Sequence, residues 1–277
     1  MAISAALLAA FWAAVGIVVR QRAAHRVPAE QTISAAMAAF REPLWWAGTL
    51  AAVGGYVFQA VALANGSLLL VQPLLVSSLL FALPMSARAS HQRITWAEWG
   101  WATLLTAALI GFVIIGRSHE GSYHPPIPPW ALALAVTVAP VAACVIGARR
   151  ATGRVRAMLL GGAVAVLLGT IAVLTKVCTH RFAVGRWHAL LTVPAPYVLI
   201  ALAAALTVLQ QAAFHAGALQ ASVPIMLVGE PIVAVLLGVL FLGERLTVRG
   251  PALPVLVAAV VAMVVAAIAL GRSEAAD

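Results

Sequence analysis

Charge is scarce in this sequence. Among 277 residues there are 17 Lys plus Arg and 8 Asp plus Glu, 9% in all. A soluble domain carries about 25% charged residues. So few cannot cover a water-facing surface of this size, which excludes a soluble globular enzyme. Aspartate occurs once, at Asp277, so an intramembrane pair of catalytic aspartates is excluded. Cysteine occurs twice, at Cys144 and Cys178, with no CxxC spacing and no disulfide framework. No GxxxxGK[ST] loop is present, which excludes ATP drive within the chain, and no HExxH metalloprotease helix. Serines are scattered without a credible histidine partner, and the site checklist yields no enzyme, no cofactor and no metal cluster. No Lys or Arg precedes the first apolar run, residues 2–19, whereas Arg20, Arg22 and Arg26 follow it. A secretory signal has the reverse order, so a retained first helix is expected.

Apolar residues supply what charge does not: 64% of the chain is hydrophobic. A bilayer-spanning helix needs about 20 such residues in a row. Nine segments qualify: 2–19, 43–64, 66–86, 96–116, 129–148, 157–177, 195–215, 219–242 and 252–271. Each is apolar all round, as for helices in lipid or a bundle core. The joints at Asn65-Gly66 and Ala216-Gly217 are short enough to require antiparallel hairpins. Stretches 28–41 and 182–194 are partly apolar but too short to span, and fit re-entrant or interfacial helices. The fold expected is therefore an all-α polytopic membrane protein of nine transmembrane helices.

The net charge is +9, but the cations lie in short runs between apolar segments and leave no nucleic-acid footprint. With the N-terminus outside, eleven Lys or Arg fall on the cytoplasmic side and six on the other. The positive-inside rule then places the C-terminus in the cytoplasm. Trp45, Trp46, Trp96, Trp99 and Trp101 would line the inner interface, with Trp130 and Trp187 at the outer one.

The chain also resembles itself. Gln59, Ala62, Gly66, Leu68 and Pro73 match Gln210, Ala213, Gly217, Leu219 and Pro224 without a gap. Arg93-Ile94-Thr95 matches Arg245-Leu246-Thr247, Gly116-Arg117-Ser118 matches Gly271-Arg272-Ser273, and His25-Arg26 matches His180-Arg181. Shared Gln, Gly and Pro in fixed order indicate a duplication. The halves are 1–118 and 157–277, four helices each, with a linking span in 119–156. The first half begins outside and the second inside, so the repeats are inverted, the plan of alternating-access carriers with a midplane site.

At Pro224 to Thr247, PIMLVGEPIVAVLLGVLFLGERLT, the sequence resembles the drug/metabolite transporter superfamily, the EamA-like permeases. The first-half counterpart, Gln72 to Ala87, has the proline without the Gly-Glu-Arg ending. The best-known members have ten helices in five-plus-five repeats. With nine spans, this chain looks closer to the branch that includes magnesium-transporter-like proteins. The resemblance implies a membrane permease without cofactor.

Seven of the eight acids lie at helix ends, in loops or in the tail. Glu230 alone lies mid-segment. A charge there costs roughly 3 kcal/mol on insertion scales, and an intramembrane ionisable group is functional by default. Pro231 follows it, Pro224 precedes it by two turns, and Pro73 is the first-half equivalent. Proline withholds an N–H from the helix, so breaks that free backbone carbonyls are expected at all three. Gln59, Gln72, Gln210 and Gln211 could donate to and accept from a polar substrate, or join helices. His215 and Lys176 complete the candidates. Lys176 is placed near a helix end, where it either reaches the interface or pairs with a substrate anion or Glu230. Thr170 and the Gly161-Gly162 and Gly54-Gly55 pairs read as helix packing.

These features point to a secondary transporter in the cytoplasmic membrane that moves a small organic solute, with Glu230 coupling to protons. The alternatives are a magnesium or other divalent-cation transporter and a non-transporting lipid-binding subunit. Partners expected are the solute or ion, membrane lipids and a second copy as a homodimer.

Overall fold

The computed structural model describes residues 1–26, 43–90, 94–119, 129–183, 194–215, 219–247 and 252–274. Ten helices fill them: α1 (Ala2–Arg26), α2 (Pro43–Ala64), α3 (Leu68–Leu75), α4 (Ser78–Ser90), α5 (Trp96–Ile115), α6 (Pro129–Arg150), α7 (Gly153–Ala183), α8 (Ala195–His215), α9 (Leu219–Leu242) and α10 (Ala252–Glu274). Every apolar segment marked in the sequence is thus helical, and 66–86 is split between α3 and α4. Among the described residues seven spans are long and apolar enough to cross a membrane: α1, α2, α3 with α4, α5, α7, α9 and α10. The chain is an α-helical membrane protein. The stretch 28–41 lies outside the described residues, as does most of 182–194, of which α7 takes the first two. The joint at Ala216-Gly217 lies outside them too.

Two features of the sequence explain the surface and the packing. Large apolar side chains stay exposed along one face of several helices, such as Leu50, Val57 and Val61 on α2 and Ile110 and Ile114 on α5. In a soluble protein such faces would be a liability; here they meet lipid. Trp46, Trp96 and Trp99 are exposed at the starts of α2 and α5, where an aromatic belt forms. Thr95 caps α5 and Glu98 returns its carboxylate to the Thr95 N–H at 2.7 Å, a capping box that accounts for this acid.

Inside, small residues bring backbones together. A Cβ at Gly16 would lie 3.0 Å from Ala52 N, and one at Gly55 3.1 Å from Ala13 N, so α1 and α2 run antiparallel in close contact. A Cβ at Gly229 would lie 2.6 Å from that of Ala165, and one at Gly169 2.6 Å from Val233 Cγ1. That register makes α7 and α9 parallel neighbours. The same pairing recurs in the first half. Ala5 and Ala6 of α1 pack with Leu68, Val71 and Leu74 of α3, and Ala14 and Val18 with Ala82 of α4. The halves meet along α5 and α10, where Leu105, Leu109 and Phe112 share a core with Leu256, Met263 and Leu270. They meet again where α3 crosses α7 and α9, through Ala172, Val173, Ala234 and Leu237.

A short antiparallel ladder closes one end of the bundle. β1 (Arg117–His119) pairs with β2 (Arg245–Thr247), with Ser118 opposite Leu246. Ala2 packs against Gly66 at the start of α1.

Candidate functional site

At the junction of α3, α7 and α9 lies a buried ion pair. Lys176 Nζ sits 2.5 Å from Glu244 Oε1, and both side chains are almost wholly withdrawn from solvent. Desolvating two charges costs several kcal/mol each, and their attraction offsets that only if the remaining donors and acceptors are filled. Here they are filled. Glu244 Oε1 also accepts from the Leu68 N–H at 3.0 Å, and Oε2 accepts from the Leu69 N–H at 3.1 Å. Lys176 Nζ donates to Gly66 O at 2.9 Å.

The backbone donors are the first N–H groups of α3, which have no partner within their own helix. The helix dipole favours an anion at that position. Ser67 supplies the N-cap, its hydroxyl accepting from Leu70 N at 3.3 Å. Glu244 reaches the spot because Gly243, at φ 62°, takes a left-handed turn after α9. The Glu244 N–H then returns to Gly238 O at 3.2 Å. Gly238 faces Leu68, 3.3 Å from where its Cβ would be, so a side chain there would crowd both Leu68 and Glu244.

Below this pair the first half breaks its helix. Pro73 has no N–H to give Leu69 O. α3 ends two residues later, Val76 and Ser77 form a turn, and α4 begins at Ser78. Tight bonds from Val76 N to Pro73 O and from Leu79 N to Val76 O carry the chain across, and Ser77 Oγ donates to Leu74 O at 2.6 Å. Gln72, just before the proline, is 1% exposed, and its Nε2 has no hydrogen-bond partner among the described residues. A buried amide without a partner is uncommon in native proteins.

Glu230 lies at the level of this break. From the contact of Leu68 with Gly238, eight residues along α3 reach Val76 and eight back along α9 reach Glu230. Both lie about 12 Å further into the bundle at 1.5 Å per residue. Val76 and Leu80 accordingly share a cluster with Leu227 and Val228. Glu230 is half-buried and has no hydrogen bond or ion pair among the described residues.

The other expected site residues are dispersed. Gln59 on α2 and Gln210 on α8 are half-buried. The side chains of Gln211 and His215 on α8 lie outside the described residues. Lys176 is seven residues inside the end of α7, not near it, and its partner is Glu244 rather than Glu230. Pro73 is followed by the expected break, but α9 runs unbroken from Leu219 to Leu242 through Pro224 and Pro231. The expectation of breaks there is corrected. A proline removes one bond from the ladder, and close packing of α7 on α9 through Gly169 and Gly229 holds the rest in helical register. Glu244, one of the seven acids at helix ends, in loops or in the tail, is not distinguished by that position in the sequence, yet it is buried in this pair. Its signal was the Leu-Gly-Glu-Arg stretch after a long apolar run. Thr170 is wholly buried and shares a 2.6 Å hydrogen bond with Thr137, so it joins α6 to α7 by more than packing.

The chain is 39% identical to an uncharacterized protein of Corynebacterium glutamicum over 276 residues, 99% of this chain and 96% of that one. No family model and no solved structure matches it.

Proposed function

The chain belongs to the family of this uncharacterized corynebacterial protein, and from the site above we propose that it is a secondary transporter of the drug/metabolite type, moving a small organic solute by alternating access. The observation that carries the reading is Glu230: an acid midway along a membrane helix, half-buried, without a partner among the described residues, level with a broken helix of the other half. A purely structural acid at such depth would be paired, because an unpaired one costs free energy and returns nothing.

The contacts also support nine spans in inverted repeats. Ala2, Gly66, the β1–β2 ladder, Lys176 and Glu244 gather at one end of the bundle. Two crossings separate each from the next. That parity makes α6 and α8 spans as well, and leaves the end of α10 on the opposite side from Met1. The parallel pairs α1 with α3–α4 and α7 with α9 are equivalents in opposite senses, as inverted repeats require. With the positive-inside count, the gathered end faces outward and the C-terminus lies in the cytoplasm.

The test is transport into proteoliposomes by the purified protein, screened across amines, amino acids, neutral polar solutes and magnesium. Proton-driven accumulation of an organic solute is expected. Glu230→Gln keeps the shape and loses the titratable group. It should abolish accumulation down a proton gradient while leaving solute exchange. Wild-type accumulation and pH dependence in Glu230→Gln would make the residue structural. Magnesium as the sole transported species would replace the organic-solute reading.

A further inference from the structure

We propose that the cluster of Lys176, Glu244 and the α3 N-terminus is the gate that closes one end of the transport pathway, and that α3 is the moving part. The inference rests on the transporter reading above and specifies how that pathway opens. The cluster ties three stretches of chain that are distant in sequence. Gly66, Leu68 and Leu69 belong to the first half, Lys176 to α7 and Glu244 to the link after α9. While it holds, the seam between α3 and α9 is sealed by Leu68 against Gly238.

Each part is built so that it can let go. Glu244 lies beyond the end of α9, on the far side of the left-handed Gly243. It can leave α3 by rotation of that link, without unwinding a membrane helix. Lys176 is on a flexible four-carbon stem. α3 is only eight residues long and is divided from α4 by the turn at Val76 and Ser77. That turn is where a hinge would absorb a change of backbone angles. α3 can therefore tilt as a unit while α4 keeps its packing on α1 through Ala82. The hinge is level with Glu230, so tilting α3 opens a path from the gathered end down to that acid.

The same chemistry sets which states are stable. In the closed state the ammonium, the carboxylate and two backbone N–H groups satisfy one another in a dry place. When they part, each needs water, and only an open, wetted seam supplies it. Partial separation without water costs the desolvation of every group at once. The gate is thus two-state, closed and dry or open and wet.

The experiment reads accessibility and needs no substrate, so failure to find solute flux and failure of the gate are separate results. In a chain carrying Cys144→Ala and Cys178→Ala, a reporter is placed by Ala234→Cys. Ala234 is wholly buried on α9, one turn below Gly238. Labelling by a membrane-impermeant maleimide is followed in right-side-out and inside-out vesicles, with Asn65→Cys in the exposed hairpin as control. With the native pair, Ala234→Cys should label slowly from both sides. Lys176→Met and, separately, Glu244→Gln should each speed labelling at least about tenfold, from the Met1 side alone, with the control unchanged. Unchanged labelling in either folded variant would overturn the proposal, as would acceleration from the opposite side. Loss of folded protein in both variants would also overturn it, since the pair would then hold the fold rather than a gate.

Discussion

Deleting both charges of the Lys176–Glu244 pair should cost much less than the sum of deleting each alone. Lys176→Met leaves the Glu244 carboxylate with two backbone donors, Leu68 N at 3.0 Å and Leu69 N at 3.1 Å, and no counter-charge. Breaking a buried pair from one side costs about 3–5 kcal/mol. The two donors and the α3 N-terminus remain, so about 3 kcal/mol is expected. Glu244→Gln leaves the ammonium with Gly66 O and one neutral amide oxygen, at about the same cost. The double variant holds no buried charge. Its Gln can still accept from Leu68 N, and Met fills the volume of the Lys stem. It should lie only about 3–4 kcal/mol below the parent, which makes the coupling of the two sites about 2 kcal/mol. Reversible unfolding of all four proteins in mixed detergent micelles measures this cycle. A coupling below about 0.5 kcal/mol would refute the reasoning, because contacting charges cannot be independent. The charge swap Lys176→Glu with Glu244→Lys provides a further discriminator. It restores a pair but aims an ammonium at the α3 N–H groups, which it cannot accept from, so it should not rescue stability.

Two other outcomes follow from packing and parity. Gly169→Ala sets a methyl 2.6 Å from Val233 Cγ1 and 2.9 Å from Ala234 N. The backbone cannot yield as a side chain can, so a loss of about 1–3 kcal/mol in the same unfolding assay is expected; a neutral result would mean that α7 and α9 are not in this contact. Cysteines introduced by Ala2→Cys and Ala275→Cys should react from opposite sides of the membrane, and same-side labelling would remove the nine-span parity.

The helices were legible because hydropathy reports them directly: each apolar run is a helix, and Asn65-Gly66 marks a hairpin. Their ends were not. The run 157–177 stops where charge begins, whereas α7 continues to Ala183, because a hydrogen-bond ladder does not end when side chains become polar. This error put Lys176 at an interface and concealed its burial. The three prolines read alike, yet only Pro73 is followed by a break. What separates them is the packing around each helix, which local sequence does not carry. Glu244 and Lys176 are far apart in the chain, and no spacing rule links them. Two hints existed: Lys176 is the lone lysine among the 17 basic residues, and Glu244 follows a glycine at the end of an apolar run. Glu230, in contrast, stood out because an acid within an apolar run is conspicuous without any structure.

The buried pair also bears on the duplication proposed for this chain. Glu244 stands one residue before Arg245, and the residue before the matching Arg93 is Gln92. Lys176 stands four residues before His180, and the residue four before the matching His25 is Gln21. On that register, both positions that are charged in one copy are glutamine in the other. A symmetrical ancestor carrying the clasp in both copies would have had two equally tight doors and no preferred resting side. Keeping ions in one copy and amides in its twin breaks that tie. On the transporter reading proposed above, this asymmetry sets a handedness across the membrane, written in two residues rather than in the path of the chain.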